Sequence, residues 1–344
     1  MVRVLIAEDS TTVRALLGSI LESDPAISIV GEAVNGEEAV EMTARLRPDI
    51  VTMDVNMPLL NGLDATKEIM AATPTPIVIV SASAHDPEVG LALSATRAGA
   101  LMVLPTPVGP DHPDFEKCVR EFVSDLKAMS EVKVVRHRAV RSAAAVTRRS
   151  KAPPPEILLI AASTGGPAAL HRVLSGLPRD FPVPIVIVQH IADGFMDGLC
   201  TWLNGSCNLR VKIAQDRERL SPRTVYLAPD DRHVIVHRGS LRLASTPALS
   251  GFRPSADPLF ESAASVYGAR LAALILTGMG SDGVAGLRAV HAAGGYVMAQ
   301  DKASSIVFGM PREAARAGVV DVVLPLDAIP AHLLDLTRGS KYGH

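Results

Sequence analysis

Short apolar runs alternate with longer amphipathic stretches along the chain, and this alternation predicts strands separated by helices. Each early run is aliphatic or β-branched and long enough for a strand that is buried on both faces. These runs are 2–7, 27–30, 50–53, 77–80 and 101–104. The stretches 13–21 and 36–46 between them have the spacing of amphipathic helices. Five strands alternating with helices predict an open, parallel α/β sheet of one domain.

A basic segment interrupts this alternation. Residues 132–151 contain seven Lys or Arg and no acidic residue, and three prolines follow, Pro153, Pro154 and Pro155. This composition predicts an exposed linker. A docking segment for an acidic partner is the alternative interpretation.

The strand pattern then resumes and predicts a second α/β domain, doubly wound and mostly parallel. Its apolar runs are 157–162, 185–188, 225–228, 234–236, 241–243, 271–276 and 296–299. The short runs around Arg238 and Gly239 predict a β-hairpin. The predicted organisation is a first domain at 1–125, a linker at 126–154 and a second domain at 155–344.

Composition narrows the class of protein. Of the 344 residues, 48% are apolar but only 3% are aromatic, so aliphatic residues must build both cores. The net charge of −2 gives no general attraction to nucleic acid or to an anionic membrane. Cys118, Cys200 and Cys207 form neither a CxxC pair nor a metal-binding pattern, which favours a reducing compartment. We find no signal peptide and no apolar run near the ~20 residues of a membrane span, so we expect a cytoplasmic protein without membrane insertion.

Carboxylates follow the predicted strands of the first domain. Glu8 and Asp9 come after the first strand, Asp54 after the third and Ser81 after the fourth. The carboxyl ends of parallel strands share one edge of the sheet, where function collects. Repulsion among three carboxylates there is relieved by a divalent cation, and Mg²⁺ suits an all-oxygen site. The alternative is that these acids are merely solvated or cap helices.

These positions carry a resemblance. Residues 1–125 resemble a response-regulator receiver domain at Glu8, Asp9, Asp54 and Ser81, and the segment from Met57-Pro58 to Gly62 matches the loop after the phosphoacceptor. The resemblance implies a flavodoxin-like fold with a five-stranded parallel sheet. It also implies that Asp54 accepts phosphate from a histidine kinase, that Glu8, Asp9 and Asp54 hold Mg²⁺, and that Ser81 takes part in the switch.

One position departs from the receiver pattern. The family carries a Lys just before a Pro at the end of the fifth strand, whereas this chain has Thr106 before Pro107. A Lys pairs with phosphoryl oxygens and transmits their charge, but a Thr offers only a neutral hydrogen bond. Phosphorylation of Asp54 is still expected, and the departure puts its coupling to a conformational switch in doubt.

A serine stands at the first strand-to-helix turn of the second domain. Ser163 follows the run 157–162 and precedes Thr164, two glycines and a helical pattern at 168–174. Backbone N–H groups of such a turn point toward anionic oxygen. The turn resembles a nucleophile elbow, although Ala161 replaces the first Gly of G-x-S-x-G. A phosphate-binding turn is the alternative, and it lacks a G-x-G-x-x-G pattern.

Two further strands end at groups that can activate a serine. His190 follows the run 185–188, and Asp282 lies in a Gly-rich turn after the run 271–276. An imidazole can take the proton of a hydroxyl while a carboxylate holds its tautomer, so we predict a Ser163–His190–Asp282 triad. Asp301 is the alternative carboxylate. We interpret His233 and His237 as structural, and Cys200 and Cys207 as packing residues.

Several ordered segments carry a second resemblance. They are 162–167, 189–190, 227–233, 253–257, 277–283 and 308–314. Through them, residues 155–338 resemble the catalytic domain of the chemotaxis protein-glutamate methylesterases, which are serine hydrolases. Several matching segments in the same order, in a chain that also has a receiver-like domain, identify a family far more specifically than one motif does.

This resemblance implies a mechanism. Ser163 attacks a glutamate γ-methyl ester of a chemoreceptor, His190 acts as general base and then acid, and Asp282 supports His190. Backbone N–H groups near Thr164 and Met279 hold the oxyanion, and glutamine deamidation by the same chemistry is implied as well. In the family, the unphosphorylated receiver covers the active-site edge, and phosphorylation weakens that contact.

Two other function classes serve as alternatives. A receiver joined to a domain that only docks partners would not react with a serine-directed phosphonate at Ser163. A DNA-binding response regulator would need a basic helix-turn-helix. The basic stretch of this chain is rich in Pro and Ala, and the residues after it alternate as α/β.

Overall fold

The computed structural model describes residues 1–81, 88–132, 134, 153–249 and 251–338. The chain divides into two compact units, Met1–Val140 and Arg141–His344. The predicted basic linker lies largely outside the described residues. The last helix of the first unit ends at Ser130, beyond the predicted domain end at 125. The domain bounds of 1–125, 126–154 and 155–344 stay predictions.

The first unit alternates strands with helices, as its apolar pattern predicts. Its strands are β1 (Val2–Ala7), β2 (Ile27–Ala33), β3 (Ile50–Asp54), β4 (Ile77–Ser81) and β5 (Met102–Pro105). Its helices are α1 (Thr11–Glu22), α2 (Gly36–Leu46), α3 (Gly62–Ala72), α4 (Glu88–Ala98) and α5 (Phe115–Ser130). The strands form one parallel sheet in the order β2-β1-β3-β4-β5. This order confirms the predicted flavodoxin-like sheet.

Polar caps fix where three of these helices begin. The side-chain oxygens of Ser10, Asn35 and Asn61 accept backbone N–H groups in the first turns of α1, α2 and α3. Each such cap typically contributes about 1 kcal/mol. Because each helix begins close to the carboxyl end of a strand, the caps also fix the loops that carry the acidic residues.

The second unit is a larger sheet with a separate hairpin. Its strands are β6 (Ile157–Ala162), β7 (Ile185–Gln189), β8 (Arg210–Ile213), β9 (Thr224–Leu227), β10 (His233–His237), β11 (Ser240–Ala244), β12 (Leu271–Ile275), β13 (Tyr296–Gln300) and β14 (Val322–Leu324). Its helices are α6 (Gly166–Ser175), α7 (Phe195–Ser206), α8 (Ala256–Tyr267), α9 (Val284–Ala292), α10 (Met310–Arg316) and α11 (Ile329–Thr337).

Seven strands of this unit form a parallel sheet in the order β14-β13-β12-β6-β7-β9-β8. The chain builds outward from β6 on one side and then crosses to β12 on the other, so the strand order reverses beside β6. In open α/β sheets, ligands bind at such a reversal, beyond the carboxyl ends of the strands. Every residue of β6, β7 and β12 is buried.

Strands β10 and β11 pair as the predicted antiparallel hairpin, and Arg238 and Gly239 take positive φ at its turn. Two edge strands of the parallel sheet, β8 and β14, were not predicted. Strand β8 alternates basic and apolar residues, and β14 has only three residues. Neither resembles the long apolar runs of the central strands.

The described residues contain no helix that is both long and apolar enough to cross a membrane. In each unit the buried hydrophobic residues lie mainly in the sheet and in the helices that pack against it. This architecture confirms the predicted fold class.

Candidate functional site

The first unit brings its predicted acidic residues together. Oxygen atoms of Glu8, Asp9 and Asp54 all lie within 4.8 Å of one another, at the adjacent ends of β1 and β3. Glu8 is buried and Asp9 is exposed. Burial, together with the charges of Asp54 and Asp9, raises the pKa of Glu8 to about 7. The cluster therefore carries excess negative charge, which a divalent cation would relieve.

The donor set fits Mg²⁺, because it consists of carboxylate oxygens with an open, solvent-exposed side at Asp9. The loop after Asp54 is tightly built. The N–H of Asn56 donates to a carboxylate oxygen of Asp54 at 3.1 Å. A Cβ on Gly62 would lie 2.0 Å from the Asp54 carbonyl oxygen, so the loop excludes any larger residue there.

Ser81 and Thr106 meet at the ends of β4 and β5. The N–H of Thr106 donates to the carbonyl of Ser81 at 3.0 Å. Ser81 is only 5% exposed, whereas Thr106 is half-buried. The structure thus brings the two predicted switch residues together by their main chains.

In the second unit, Ser163 and His190 follow neighbouring strands. Ala162 pairs with Gln189 in register, so Ser163 and His190 continue the same two strands side by side. The N–H of His190 donates to the carbonyl of Ala162 at 2.9 Å. The buried amide of Gln189 donates to the carbonyls of Ser163, at 2.8 Å, and of His190, at 2.7 Å. One side chain thus fixes both main chains.

The third strand end approaches Ser163 from the other side. The N–H of Ser163 donates to the carbonyl of Thr277 at 3.1 Å. A Cβ on Gly278 would lie 2.7 Å from the Ser163 Cβ and 2.4 Å from the Met310 sulfur. Glycine is required here because the backbone after β12 touches the serine itself.

Asp282 contacts the imidazole of His190. The Nε2 atom of His190 lies 2.9 Å from Oδ2 of Asp282, and the two side chains are 8% and 1% exposed. At this separation the two groups form an ion pair whenever His190 is protonated, although Nε2 makes no hydrogen bond of regular geometry. The Nδ1 atom is buried and makes no hydrogen bond within the described parts of the chain. His190 is therefore not hydrogen-bonded to Ser163 in this structure.

The Asp282 carboxylate is held from behind by the start of α8. Ser255 donates its hydroxyl to Oδ1 at 2.6 Å, and the Ala256 N–H donates to Oδ2 at 2.7 Å. Burial by itself raises the pKa of Asp282, but contact with His190 and these two donors outweigh it and lower the pKa below its usual value. A negative charge at a helix N-terminus is also favourable. Asp282 is therefore anionic.

The structure shows which groups contact Asp301, the alternative carboxylate, and His233, the histidine interpreted as structural. The carboxylate of Asp301 accepts the N–H and hydroxyl of Ser304, so it serves a turn and not His190. His233 is fully buried and structural, as predicted. Its Nδ1 accepts the Ser255 N–H at 3.2 Å, and its Nε2 lies 3.2 Å from the Pro247 carbonyl.

The predicted oxyanion residues flank Ser163. Thr164 is buried and follows Ser163 directly, while Met279 is 38% exposed and follows Gly278. The Thr277 hydroxyl donates to the Thr164 carbonyl at 2.9 Å, which joins the two turns. Among the described hydrogen bonds, none uses the N–H of Thr164 or of Met279.

Sequence reasoning missed Gln189 and Ser255 as functional residues. Both lie in segments that carried the family resemblance, 189–190 and 253–257, but no role was attached to either. The available signal was the Ser255-x-Asp257 pattern before a helix, which is typical of an N-cap. Nothing in the sequence shows that this cap faces Asp282.

Comparisons with known proteins give a family match for each unit. Residues 158–333 match the family model of the CheB methylesterase, and residues 4–139 match that of the response regulator receiver domain. The protein-glutamate methylesterase/protein-glutamine glutaminase 4 of Myxococcus xanthus is 49% identical over 98% of both chains. The protein-glutamate methylesterase/protein-glutamine glutaminase of Nitrosospira multiformis is 48% identical over 98% of this chain and 97% of its own.

A solved structure matches the second unit. The crystal structure of the Thermotoga maritima CheB methylesterase catalytic domain superposes with a TM-score of 0.52 and 40% identity, over 53% of this chain and 98% of that chain. The family match covers the strand ends that precede Ser163, His190 and Gly278. From both family matches and the full-length relatives, the chain belongs to the CheB methylesterase family, with a response-regulator receiver domain at its N-terminus.

Proposed function

We propose that this chain hydrolyses γ-methyl esters of glutamate side chains on a chemoreceptor, with Ser163 as the nucleophile. One observation carries the proposal. The Asp282 carboxylate lies 2.9 Å from His190, and His190 continues the strand beside that of Ser163. A hydroxyl, an imidazole and a buried carboxylate in this order are the parts of a serine hydrolase.

The reaction begins at the hydroxyl. Ser163 Oγ attacks the ester carbonyl and gives its proton to His190 Nδ1, the ring nitrogen that is not directed at Asp282. The imidazolium then returns the proton to the leaving methoxide, and methanol departs from an acyl-enzyme. Water, deprotonated by the same nitrogen, releases the glutamate carboxylate and restores Ser163. Catalytic hydrogen bonds are often long without substrate, so we expect Ser163 and His190 to close on binding.

Asp282 stabilises the imidazolium that forms in each step. Its lowered pKa keeps the Asp282 carboxylate anionic at neutral pH. The tetrahedral oxyanion is held by the N–H groups of Thr164 and Met279, which make no other described hydrogen bond. One such donor typically contributes on the order of 10²–10³ in kcat.

The same steps remove ammonia from a glutamine side chain. The relatives from Myxococcus xanthus and Nitrosospira multiformis are named glutaminases as well as methylesterases. The leaving group is then an amine that needs full protonation by His190. We expect deamidation of receptor glutamines as a second activity of this site.

The first unit regulates this site through phosphorylation. A phosphohistidine of a histidine kinase loses its phosphoryl group to a carboxylate oxygen of Asp54, which forms an acyl phosphate. Glu8, Asp9 and Asp54 would hold Mg²⁺, which when bound neutralises charge on the carboxylates and the phosphoryl group. Thr106 adds no positive charge there, so we expect weaker coupling than a Lys would give. We place the enzyme in the cytoplasm, where its phosphodonor and receptor segment lie.

Methanol release tests the proposal. The full chain is incubated with a methyl-labelled receptor cytoplasmic fragment, and labelled methanol is counted. Ser163→Ala is the matched control, and its thermal midpoint is measured to show that it folds. We expect release by the wild type and loss of about 10⁴-fold or more in the variant. Equal release by both proteins would overturn the proposal.

A further inference from the structure

The ring of Phe252 lies flat against the ring of His190. The two ring centroids are 4.1 Å apart, and the planes are inclined by only 5°. Phe252 is half-buried, and it lies in the segment between the hairpin and α8. No step of the mechanism uses this side chain.

His190 needs a restraint on its ring plane. The last torsion of a histidine side chain is broad, so the backbone alone does not set the plane. The contact with Asp282 engages only Nε2, at one edge of the ring, and is not a hydrogen bond of regular geometry, so it does not by itself fix the plane. A hydrogen bond to a ring nitrogen requires the partner to lie near that plane. A parallel stack on one face supplies the missing restraint, since rotation of the imidazole would drive its atoms into the phenyl ring.

Phe252 is itself firmly held. It exchanges two main-chain hydrogen bonds with Leu249, at 3.0 and 2.9 Å. The next residue, Arg253, donates its Nε–H to Asp231 at 2.7 Å and an Nη1–H to the Thr246 carbonyl at 3.3 Å. The main chain of Phe252 and the side chain of the residue after it are thus both anchored, by the bonds to Leu249 and by the Arg253–Asp231 ion pair.

The same short segment reaches the other partner of His190. Ser255, three residues after Phe252, donates its hydroxyl to Asp282. One segment therefore positions both groups that contact His190, which are the phenyl ring against the imidazole face and the carboxylate at the imidazole edge. Any shift of this segment moves both restraints together.

We propose that Phe252 is a positioning residue, which holds the His190 ring in the plane needed for proton transfer with Ser163. The inference rests on the proposed function. It acts through His190 and not through the substrate. Removing the ring should therefore lower kcat and leave KM unchanged, for small and large esters alike. A misplacement of the base by about 1 Å can cost about 10²-fold.

The experiment uses the full chain with Phe252→Ala, Phe252→Leu and Phe252→Tyr. Each variant is assayed on p-nitrophenyl acetate and on the methyl-labelled receptor fragment. We expect kcat to fall about 10- to 100-fold for Ala and Leu on both substrates, with KM within about twofold. Tyr keeps the flat ring and should restore kcat to within about threefold. Leu249→Ala changes an exposed side chain of the same turn and should leave kcat on the small ester unchanged.

A second readout isolates the base from substrate binding. The rate at which a small serine-directed phosphonate labels Ser163 depends on proton removal by His190, and it should fall in the Ala and Leu variants in step with kcat. Thermal midpoints show whether each variant is folded, and Leu and Tyr remain informative if Ala is not.

Three results would overturn the proposal. One is a Leu variant as active as the wild type, because the flat ring would then be unnecessary. Another is a rise in KM on the receptor fragment alone, which would make Phe252 a docking residue. The third is a Tyr variant as impaired as Ala. Failure of the proposed function is a separate outcome, recognised by an active Ser163→Ala variant.

Discussion

Glu8 in the first unit and Asp282 in the second are both buried carboxylates near the end of a central parallel strand. Burial and the charges of Asp54 and Asp9 together raise the pKa of Glu8 to about 7. At Asp282, contact with His190 and two hydrogen-bond donors outweigh burial, and the pKa is lowered. Glu8 directly follows β1 and Asp282 lies in the turn between β12 and α9, so both are buried beyond the carboxyl end of a parallel strand and their neighbours decide the chemistry. The Ser10 N–H and Arg14 compensate Glu8 only in part, so Glu8 suits a cation site, whereas Asp282 is fully compensated and suits an orienting anion.

Removing the charge at Asp282 should have the largest effect. Asp282→Asn keeps the shape but cannot stabilise an imidazolium, and the change also alters which ring nitrogen carries the proton. We expect kcat for ester hydrolysis to fall about 10⁴-fold. Initial rates of methanol release measure this. Asp301→Asn is the control, because that carboxylate serves a turn around Ser304, and a comparable loss there would contradict the assignment.

Removing one hydrogen-bond donor to Asp282 tests how much the donors that stabilise its negative charge contribute to kcat. Ser255→Ala deletes the 2.6 Å hydrogen bond to Oδ1 and leaves the Ala256 N–H in place. A hydrogen bond to a charged group is worth about 1.5–3 kcal/mol, so kcat should fall about 10- to 100-fold. Ser255→Thr keeps the hydroxyl and should recover part of this loss. The pH profile of kcat should also move in the Ala variant, which a purely structural role would not cause.

The raised pKa of Glu8 predicts a pH dependence of stability in the first unit. The folded state keeps a proton on Glu8 up to a pH of about 7, while the unfolded state loses it near 4.5. Without Mg²⁺, stability should therefore fall as the pH rises from about 4.5 through about 7, by about 3 kcal/mol at most. Hydrogen exchange of peptides from residues 1–81 measures this.

Glu8→Gln is the control for this pH dependence, because it removes the titrating group. Added Mg²⁺ should raise protection at pH 8 more than at pH 5, since only the ionised cluster attracts the cation. Equal protection of the wild type at both pH values would mean that the Glu8 carboxyl is not perturbed in the folded chain.

The smallest expected effect concerns Thr106. Thr106→Lys places a cation near Ser81, where it can pair with a phosphoryl group on Asp54. We expect the ratio of ester hydrolysis with and without a small phosphodonor and Mg²⁺ to rise several-fold. Thr106→Gln has similar length without charge and should leave the ratio unchanged. A ratio that stays high in Asp54→Asn would exclude phosphorylation as the cause.

The apolar runs determined the alternation of strands and helices. They thereby also determined that the reactive residues lie at or just after the ends of strands. The carboxyl ends of parallel strands share one edge of a sheet, so the grouping of reactive residues within each unit could be predicted. These residues include Glu8, Asp54, Ser163 and His190. The edge strands β8 and β14 could not be predicted from the sequence, because a strand at an exposed edge does not need a continuous apolar run.

The tertiary structure alone decided which groups touch within those edges. The order β12-β6-β7 puts His190 and the turn after β12 on opposite sides of Ser163, and no local pattern encodes that order. The Ser255 hydroxyl on Asp282 and the Phe252 ring on His190 likewise arise from a segment distant in sequence. Sequence periodicity reports which face of an element is buried, whereas contacts between loops depend on how the whole sheet assembles.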